Sequence, residues 1–275
     1  MNYRHAFHAG NHGDCLKHAL LLLLLEALRR KDTPFAVLDT HAGRGRYDLS
    51  AEESQRSGEW RRGAGRLLGV TDGPLAPFVA ALHALKFPRF YPGSPALIRA
   101  ALRPRDRLIA VELHPEDHAA LRAEFARDAQ VAVHRRDGYE AIRAFSPFPE
   151  KRGLILIDPP FEREDEFSRL ASAILEAHKK FRTGVIAAWY PIKHRAPVRE
   201  FHTALIQGGI RDVVAAEFFL REPTDPQRLN GSGLLIVNPP WQFEAQAAPI
   251  LAALLERLGD GEAGQGVALS RLAEE

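Results

Sequence analysis

Short apolar segments that alternate with helix-period segments constrain the fold of this chain more than any other feature. Seven candidate strands lie at 35–39, 107–112, 131–133, 153–158, 184–190, 212–220 and 233–238. Helix-period segments lie between most of them, at 17–30, 115–127, 164–181 and 196–207. This alternation predicts an α/β fold with a largely parallel sheet and helices on both faces.

The last two candidate strands depart from the alternation. They are joined by the polar segment 221–232, which has no room for a crossover helix. We therefore expect them to pair antiparallel at the end of the sheet. A seven-stranded, mostly parallel sheet with a terminal antiparallel hairpin is typical of the Rossmann-like class I methyltransferase fold.

A surplus of residues interrupts this pattern after the first strand. In a dinucleotide-type fold, a strand-end acid follows the glycine-rich turn by about 20 residues, whereas here Glu112 follows Gly45 by 67. We assign the surplus to a small inserted helical subdomain without a clear strand. The predicted division is a Rossmann-like domain of 1–47 and 96–275 and an insert of 48–95, with helical stretches at 51–68 and 74–87.

Charge and cysteine content limit the partners and the environment. A net charge of +2 permits a nucleic-acid partner without requiring one. The single cysteine, Cys15, excludes an intramolecular disulfide and a Cys-based zinc site, and it suits a reducing cytoplasm. The apolar run Leu20–Leu25 is far shorter than the roughly 20 residues of a membrane-spanning helix. We therefore expect a cytoplasmic protein with a buried helix at this run.

Three strand ends carry residues that suit a nucleoside cofactor. Gly43 and Gly45 permit a tight turn and close approach of a ligand after the first strand, although the three-glycine fingerprint is incomplete. Glu112, at the end of the second strand, can accept hydrogen bonds from both ribose hydroxyls. Asp137, which precedes Gly138, can accept one from an adenine amino group. Each feature also has a structural explanation, as a strand-to-helix turn, a surface acid or a turn pair.

The segment Asp158–Phe161, Asp-Pro-Pro-Phe at the end of an apolar strand, is the strongest chemical signal. An adenine amine is a poor nucleophile because its lone pair is delocalised into the ring. A carboxylate and a carbonyl oxygen that accept its two N–H bonds favour positive charge on that nitrogen in the transition state. Pro159 and Pro160 hold the carbonyl in a rigid turn, and the Phe161 ring can stack on a flipped base. The motif predicts methylation of an adenine N6 amine; the alternative is a proline-terminated strand.

The segment Asn238–Trp241, Asn-Pro-Pro-Trp, has the same order of residue types and is a competing motif. Its strand is the seventh and belongs to the antiparallel hairpin, away from the glycine-rich turn. Asp158 ends the strand that we expect beside the first strand, so we assign catalysis to Asp158.

The N-terminal segment 1–18 is rich in His, Asn and Gly. Its histidines are His5, His8, His12 and His18. Their spacing does not suit a helix-borne ligand pair and no Cys or acidic cluster joins them, so we predict no metal site. Because the segment is too polar to be core, Tyr3, His5 and Lys17 are predicted to handle a base and a phosphate of an RNA. The alternative is that Tyr3 packs within the fold and Lys17 is an ordinary helix-start lysine.

Several motifs, taken together, make the chain resemble one enzyme family. In chain order they are YRHAFHAGNHGDCLKH, LDTHAGRGRY, YPGSP, ELHP, RDGY, GLILIDPPF, WYPI and NPPW. They resemble the RlmJ family of 23S ribosomal RNA adenine-N6 methyltransferases. The resemblance implies a Rossmann-like core with an inserted helical subdomain and S-adenosylmethionine as the cofactor. It also implies a monomer that methylates one adenine in the peptidyl-transferase region of naked or partly assembled 23S ribosomal RNA.

The resemblance assigns roles to individual residues. The implied cofactor contacts are His18, His41, Ser94, Glu112, Asp137, Gly138 and Asp158, to which the glycine-rich turn adds Gly43. Asp158 is the implied catalytic residue, and Tyr3, His5 and Lys17 are the implied substrate-handling residues. Phe161 stands where the family more often carries Tyr, so a phenol hydroxyl is not essential if the activity is retained.

Three other functions compete with this interpretation. A DNA adenine-N6 methyltransferase needs a module that reads base edges, and only the insert at 48–95 could supply it. A non-catalytic RNA-binding protein of the same fold is disfavoured by the intact Gly43, Glu112 and Asp158. A nicotinamide-dependent dehydrogenase would not explain Asp-Pro-Pro-Phe.

Overall fold

The computed structural model describes residues 4–274, in which a central sheet is flanked by helices. The strands are β1 Ala36–Asp39, β2 Arg46–Asp48, β3 Phe90–Pro92, β4 Arg107–Val111, β5 Val131–His134, β6 Gly153–Ile157, β7 Val185–Ile192, β8 Val213–Phe219, β9 Gly231–Val237 and β10 Gly266–Ala273. The helices are α1 His12–Arg29, α2 Glu52–Ser57, α3 Glu59–Arg62, α4 Ala76–Ala84, α5 Ser94–Ala101, α6 Pro115–Glu124, α7 Gly138–Phe145, α8 Glu166–Lys180, α9 Arg195–Gln207 and α10 Phe243–Leu258. Two 3₁₀ turns lie at His5–Phe7 and Ala64–Leu67.

The central sheet has the strand order β5–β4–β1–β6–β7–β9–β8–β10. Five neighbouring strands are parallel, namely β5, β4, β1, β6 and β7. Strand β9 lies between β7 and β8 and is antiparallel to both. The seven candidate strands and the antiparallel pairing of the last two are confirmed. The count of seven is wrong, because β10 adds an eighth, antiparallel strand outside β8. Its partly exposed residues pair on one side only, so its sequence lacks the apolar run that marked the other strands.

Residues 48–95, the predicted insert, contain the short helices α2, α3 and α4 and also a strand. Strand β3 pairs antiparallel with β2, which closes the base of the insert. Three-residue strands are too short to show a periodic pattern, so this ladder could not be predicted from the sequence. Leu67, Phe78 and Leu82 of the insert are buried in the same apolar cluster as Leu20 and Leu24 of α1. The insert therefore shares the core of the Rossmann-like domain.

The leucine run lies in α1, which starts several residues earlier than predicted. The Asn11 side chain caps this helix by accepting the N–H of Asp14 at 3.0 Å. Four leucines of the run are fully buried: Leu20, Leu21, Leu24 and Leu25. They form the face of α1 that packs among α5, α10 and β9. No helix within residues 4–274 has both the length and the apolar character needed to cross a membrane.

Candidate active site

The carboxyl ends of β1, β4, β6 and β7 open into a cavity of about 680 Å³. These strands are parallel, so the residues that follow them meet at one edge of the sheet. The cavity is lined by the predicted site residues that fall within 4–274: His5, Lys17, His18, His41, Gly43, Ser94, Glu112, Asp137, Gly138, Asp158, Pro159, Pro160 and Phe161. Tyr3, which was also predicted to contact RNA, lies outside the described residues.

Glu112 ties the glycine-rich turn to the loop after β4. Its Oε2 accepts the N–H of Gly43 at 2.9 Å, and its Oε1 accepts the N–H of His114 at 2.7 Å. Gly43 has a φ of +61°, and a Cβ there would lie 2.1 Å from the Tyr47 hydroxyl oxygen, so the turn requires glycine. Burial raises the pKa of Glu112. Each carboxylate oxygen has more than one acceptor site, so Glu112 can hold the turn and still accept from a ligand.

Asp137 and Gly138 form the start of α7. Asp137 caps this helix, because its Oδ1 accepts the N–H groups of Tyr139 at 2.9 Å and Glu140 at 3.1 Å. A Cβ at Gly138 would lie 2.4 Å from the carbonyl oxygen of Thr40, so glycine lets α7 approach the loop after β1. The structural explanation offered for this pair therefore holds, and both residues also line the cavity.

Ser94 lines the cavity and is bonded to a buried acid behind it. Its hydroxyl donates to Asp39 Oδ2 at 2.7 Å. Burial raises the pKa of Asp39 to about 7, against the effect of this hydrogen bond. Oδ1 of Asp39 is buried and has no hydrogen-bond partner among the described residues. Ser94 therefore positions a carboxyl group whose charge responds to cations placed nearby.

Asp158 is paired with Lys17, whose ammonium lies between two carboxylates. Lys17 Nζ is 2.5 Å from Asp158 Oδ2 and 2.8 Å from Asp14 Oδ1. Although burial alone would lower the pKa of Lys17, the two carboxylates raise it well above its usual range. Burial opposes ionisation of Asp14 as well, but Lys17 and His5 hold the pKa of Asp14 well below its usual range. Lys17 and Asp14 are therefore both charged at neutral pH.

This arrangement corrects the expectation that the N-terminal segment is too polar to be core. Asp14, Lys17 and His18 are buried at the start of α1. Because the Lys17 side chain is only 4% exposed and already paired, it has no free face for an RNA phosphate. The sequence reasoning overlooked Asp14, although its spacing of three residues from Lys17 is that of a helical ion pair.

Phe161 follows the two prolines in a left-handed conformation. Its φ is +50°, which is uncommon for a residue with a Cβ and is found where surrounding contacts enforce it. Its ring makes edge-on contacts with Phe167 at 4.9 Å and Trp189 at 5.9 Å between ring centroids. Trp189 also lines the cavity but was not among the predicted site residues, although it opens the WYPI motif.

The first described residues close one side of the cavity. His5 Nε2 lies 3.0 Å from Asp14 Oδ2, and the His5 ring makes an edge contact with Tyr47 at 5.1 Å. His8 pairs with Glu59 of the insert at 3.0 Å. Burial lowers the pKa of His12 to about 4. In the part of the chain that the structure describes, no cluster of His, Cys, Asp and Glu is arranged to hold a metal ion.

Asn238 lies at the opposite edge of the sheet. Because β9 is antiparallel to β7, the residue that follows it lies near the start of β7. The Asn238 amide donates to the carbonyl oxygens of Arg182 at 2.7 Å and Gly184 at 2.8 Å. Trp241 of the same motif is 78% exposed. Of the two motifs, only Asp158–Phe161 therefore lines the cavity.

Comparisons with known proteins agree with one another. Residues 32–269 match the family described as ribosomal RNA large subunit methyltransferase D, RlmJ. Two relatives named ribosomal RNA large subunit methyltransferase J, from Haemophilus influenzae and Escherichia coli, are 41% and 40% identical to this chain over 94% of each chain. The crystal structure of a Legionella pneumophila protein matches with a TM-score of 0.87 and 32% identity, covering 96% of this chain and 98% of that one.

Proposed function

This chain belongs to the RlmJ family of ribosomal RNA large subunit methyltransferases, and on that basis we propose that it methylates the N6 amine of an adenine in 23S ribosomal RNA. The methyl donor is S-adenosylmethionine. The observation that carries the proposal is the Asp158 carboxylate at the carboxyl end of β6, held through Oδ2 by Lys17 and followed by two prolines. We place the enzyme in the cytoplasm, where it acts as a monomer on naked or partly assembled 23S RNA.

The adenine N6 amine is a poor nucleophile, and residues of this chain accept hydrogen bonds that make it more reactive. Lys17 fixes Oδ2 of Asp158, which leaves Oδ1 to accept one N–H of the adenine amine. A backbone carbonyl of the Asp-Pro-Pro turn accepts the other, so the nitrogen lone pair turns out of the ring plane. With the cofactor bound, N6 would attack the methyl carbon as the carbon–sulfur bond breaks and leaves a neutral thioether, and the surplus proton of N6 would then leave toward the Asp158 carboxylate. Phe161 and Trp189 supply aromatic surface on which the flipped base can stack.

The remaining cavity residues suit the methyl donor. His18 offers a buried Nε2 with no hydrogen-bond partner among the described residues, while its Nδ1 pairs with the Tyr91 hydroxyl at 2.8 Å. An imidazole N–H there suits the carboxylate of the methionine part. Glu112 suits the ribose hydroxyls, and Asp137 suits the adenine amino group. When bound, the cofactor supplies a methyl group on a sulfonium sulfur, an electrophile that needs no further activation.

The reaction product decides between the proposal and its alternatives. Purified protein is incubated with S-adenosylmethionine and either a 23S RNA transcript or a DNA duplex of the same sequence, and digested nucleosides are separated by mass spectrometry. We expect N6-methyladenosine from the RNA only. N6-methyldeoxyadenosine from the duplex would favour a DNA enzyme. Cofactor binding without any methylated product would favour a non-catalytic RNA-binding protein.

Glu112→Gln is expected to weaken cofactor binding more than it slows turnover. The amide keeps the size of the side chain but loses the charge and one acceptor, which costs about 1.5–3 kcal/mol for a charge-assisted hydrogen bond. Titration calorimetry with S-adenosylhomocysteine should show a dissociation constant that is roughly 10- to 150-fold higher. At saturating cofactor the methylation rate should change little. The matched control is Glu256→Gln, at an exposed position of α10; equal affinities of the two variants would contradict the assignment of Glu112.

A further inference from the structure

Asp14 connects the N-terminal segment to the Lys17–Asp158 pair. Its Oδ1 accepts from Lys17 Nζ at 2.8 Å. Its Oδ2 accepts the N–H of Gly10 at 2.8 Å and lies 3.0 Å from His5 Nε2. The Asp14 side chain is only 2% exposed. A buried carboxylate with three donors is held in one orientation, so the position of Lys17 depends on it.

The ionic state of this cluster follows from its surroundings. Of the other groups that face Asp14, His18 is neutral because burial lowers its pKa to about 3. Tyr47 and Tyr91, on the side of the insert, are neutral because burial raises their pKa values well above the usual range. Two carboxylates, those of Asp14 and Asp158, therefore face the single ammonium of Lys17, with His5 at the solvent side of the cluster.

We propose that Asp14 is a positioning residue that acts on methyl transfer through Lys17. In the transition state, positive charge moves onto N6 beside Asp158, and a cluster with net negative charge stabilises it. If Lys17 faced Asp158 alone, its ammonium would cancel the carboxylate and the cluster would be neutral. Asp14 accepts one of the two hydrogen bonds that the Lys17 ammonium donates to carboxylates. Lys17 can therefore orient Asp158 without cancelling the negative charge of the cluster. This inference rests on the proposed function.

A purely structural role for Asp14 is the alternative. The same hydrogen bonds to Gly10 and His5 anchor the start of α1, and their loss would disturb the fold whether or not Lys17 was involved. The two roles differ in their dependence on Lys17. If Asp14 only anchors α1, Asp14→Asn should lower kcat by the same factor whether or not Lys17 is present. If Asp14 acts through the charge of Lys17, that loss should disappear once the ammonium has been removed.

A double-mutant cycle of Asp14→Asn and Lys17→Met tests the inference. The control is Asp106→Asn, because Asp106 is also buried and accepts backbone N–H groups of Phe35 and Arg103, at the opposite edge of the sheet. The kinetic constants kcat and KM for a 23S RNA transcript are measured at saturating S-adenosylmethionine. The affinity for S-adenosylhomocysteine and the melting temperature are measured separately, without RNA.

We expect Asp14→Asn to lower kcat by roughly 10- to 100-fold while cofactor affinity stays within about threefold. We also expect the double variant to be more active than Lys17→Met alone, since Asp158 then has no second carboxylate with which to share a proton. Additive losses, or a kcat for Asp14→Asn equal to that of Asp106→Asn, would overturn the inference. If Asp14→Asn folds poorly, the comparison of the double variant with Lys17→Met still decides the question. Failure of the wild-type protein to methylate RNA would instead overturn the proposed function.

Discussion

Asp158→Ala is expected to lose most of the methylation activity while leaving the cofactor site and the fold in place. The carboxylate is the acceptor that stabilises positive charge on the amine, and removing one preorganised group of this kind costs about 3–4 kcal/mol or more in the barrier. The single-turnover rate on a 23S RNA transcript should fall by roughly 100- to 1000-fold. Titration with S-adenosylhomocysteine should show a much smaller change, because the Glu112 and Asp137 ends of the cavity are untouched.

Two further variants make this experiment decisive. Asp158→Asn keeps an acceptor oxygen but loses the charge, so its rate should lie between those of the wild type and Asp158→Ala. Asn238→Ala removes the amide that holds the Arg182 and Gly184 carbonyls, so it should lower stability rather than the rate. Normal turnover by Asp158→Ala together with an inactive, well-folded Asn238→Ala would transfer catalysis to the Asn-Pro-Pro-Trp motif.

Lys17→Met is expected to lose most activity near pH 7 and to recover part of it as the pH rises. Methionine fills a similar volume, but Asp14 and Asp158 are left without the cation that separates them. Two neighbouring carboxylates cannot both ionise easily, so at neutral pH the pair binds a proton that the wild type does not. That proton is lost as the pH rises, and Asp158 then becomes an acceptor again.

The pH dependence and the stability of Lys17→Met can be measured together. Leaving a buried charge unpaired costs about 3–5 kcal/mol, so the melting temperature should fall as well. The methylation rate relative to the wild type should increase between about pH 6.5 and 8.5. Lys179→Met, at an exposed position of α8, serves as the control and should change neither quantity. A relative rate that is flat across this range would mean that Lys17 does not set the ionisation of the pair.

The predictable parts of the fold were those marked by a pattern of apolar residues within a short stretch of sequence. Each apolar strand that ends in an acid was recognisable because burial on both faces leaves an uninterrupted run, as before Asp158. Parallel strands then bring Glu112 and Asp158 to one edge without further information. Strand β10 was not recognisable, because an exposed edge strand needs no such run.

The partners of the site residues could not be predicted in the same way. The Lys17–Asp158 contact joins residues 141 positions apart, and nothing local to either residue identifies the other. Polarity was a misleading guide at the start of α1, because a polar side chain is buried where ionic partners from a distant element neutralise it. Asp137 and Gly138 were predicted to contact the cofactor or to form a turn pair, whereas the capping of α7 by Asp137 was not predicted.

During synthesis on the ribosome, α1 is made long before two of the elements that pack on it. The fully buried leucines of this helix rest on β9 and α10, which begin at Gly231 and Phe243. Until those elements have emerged, the leucine face is only partly covered, by α5, and the rest is available to chaperones or to other nascent chains. Lys17 likewise can contact Asp158 only after β6 has been synthesised. The leucine face of α1 is therefore fully covered only after most of the chain has been synthesised.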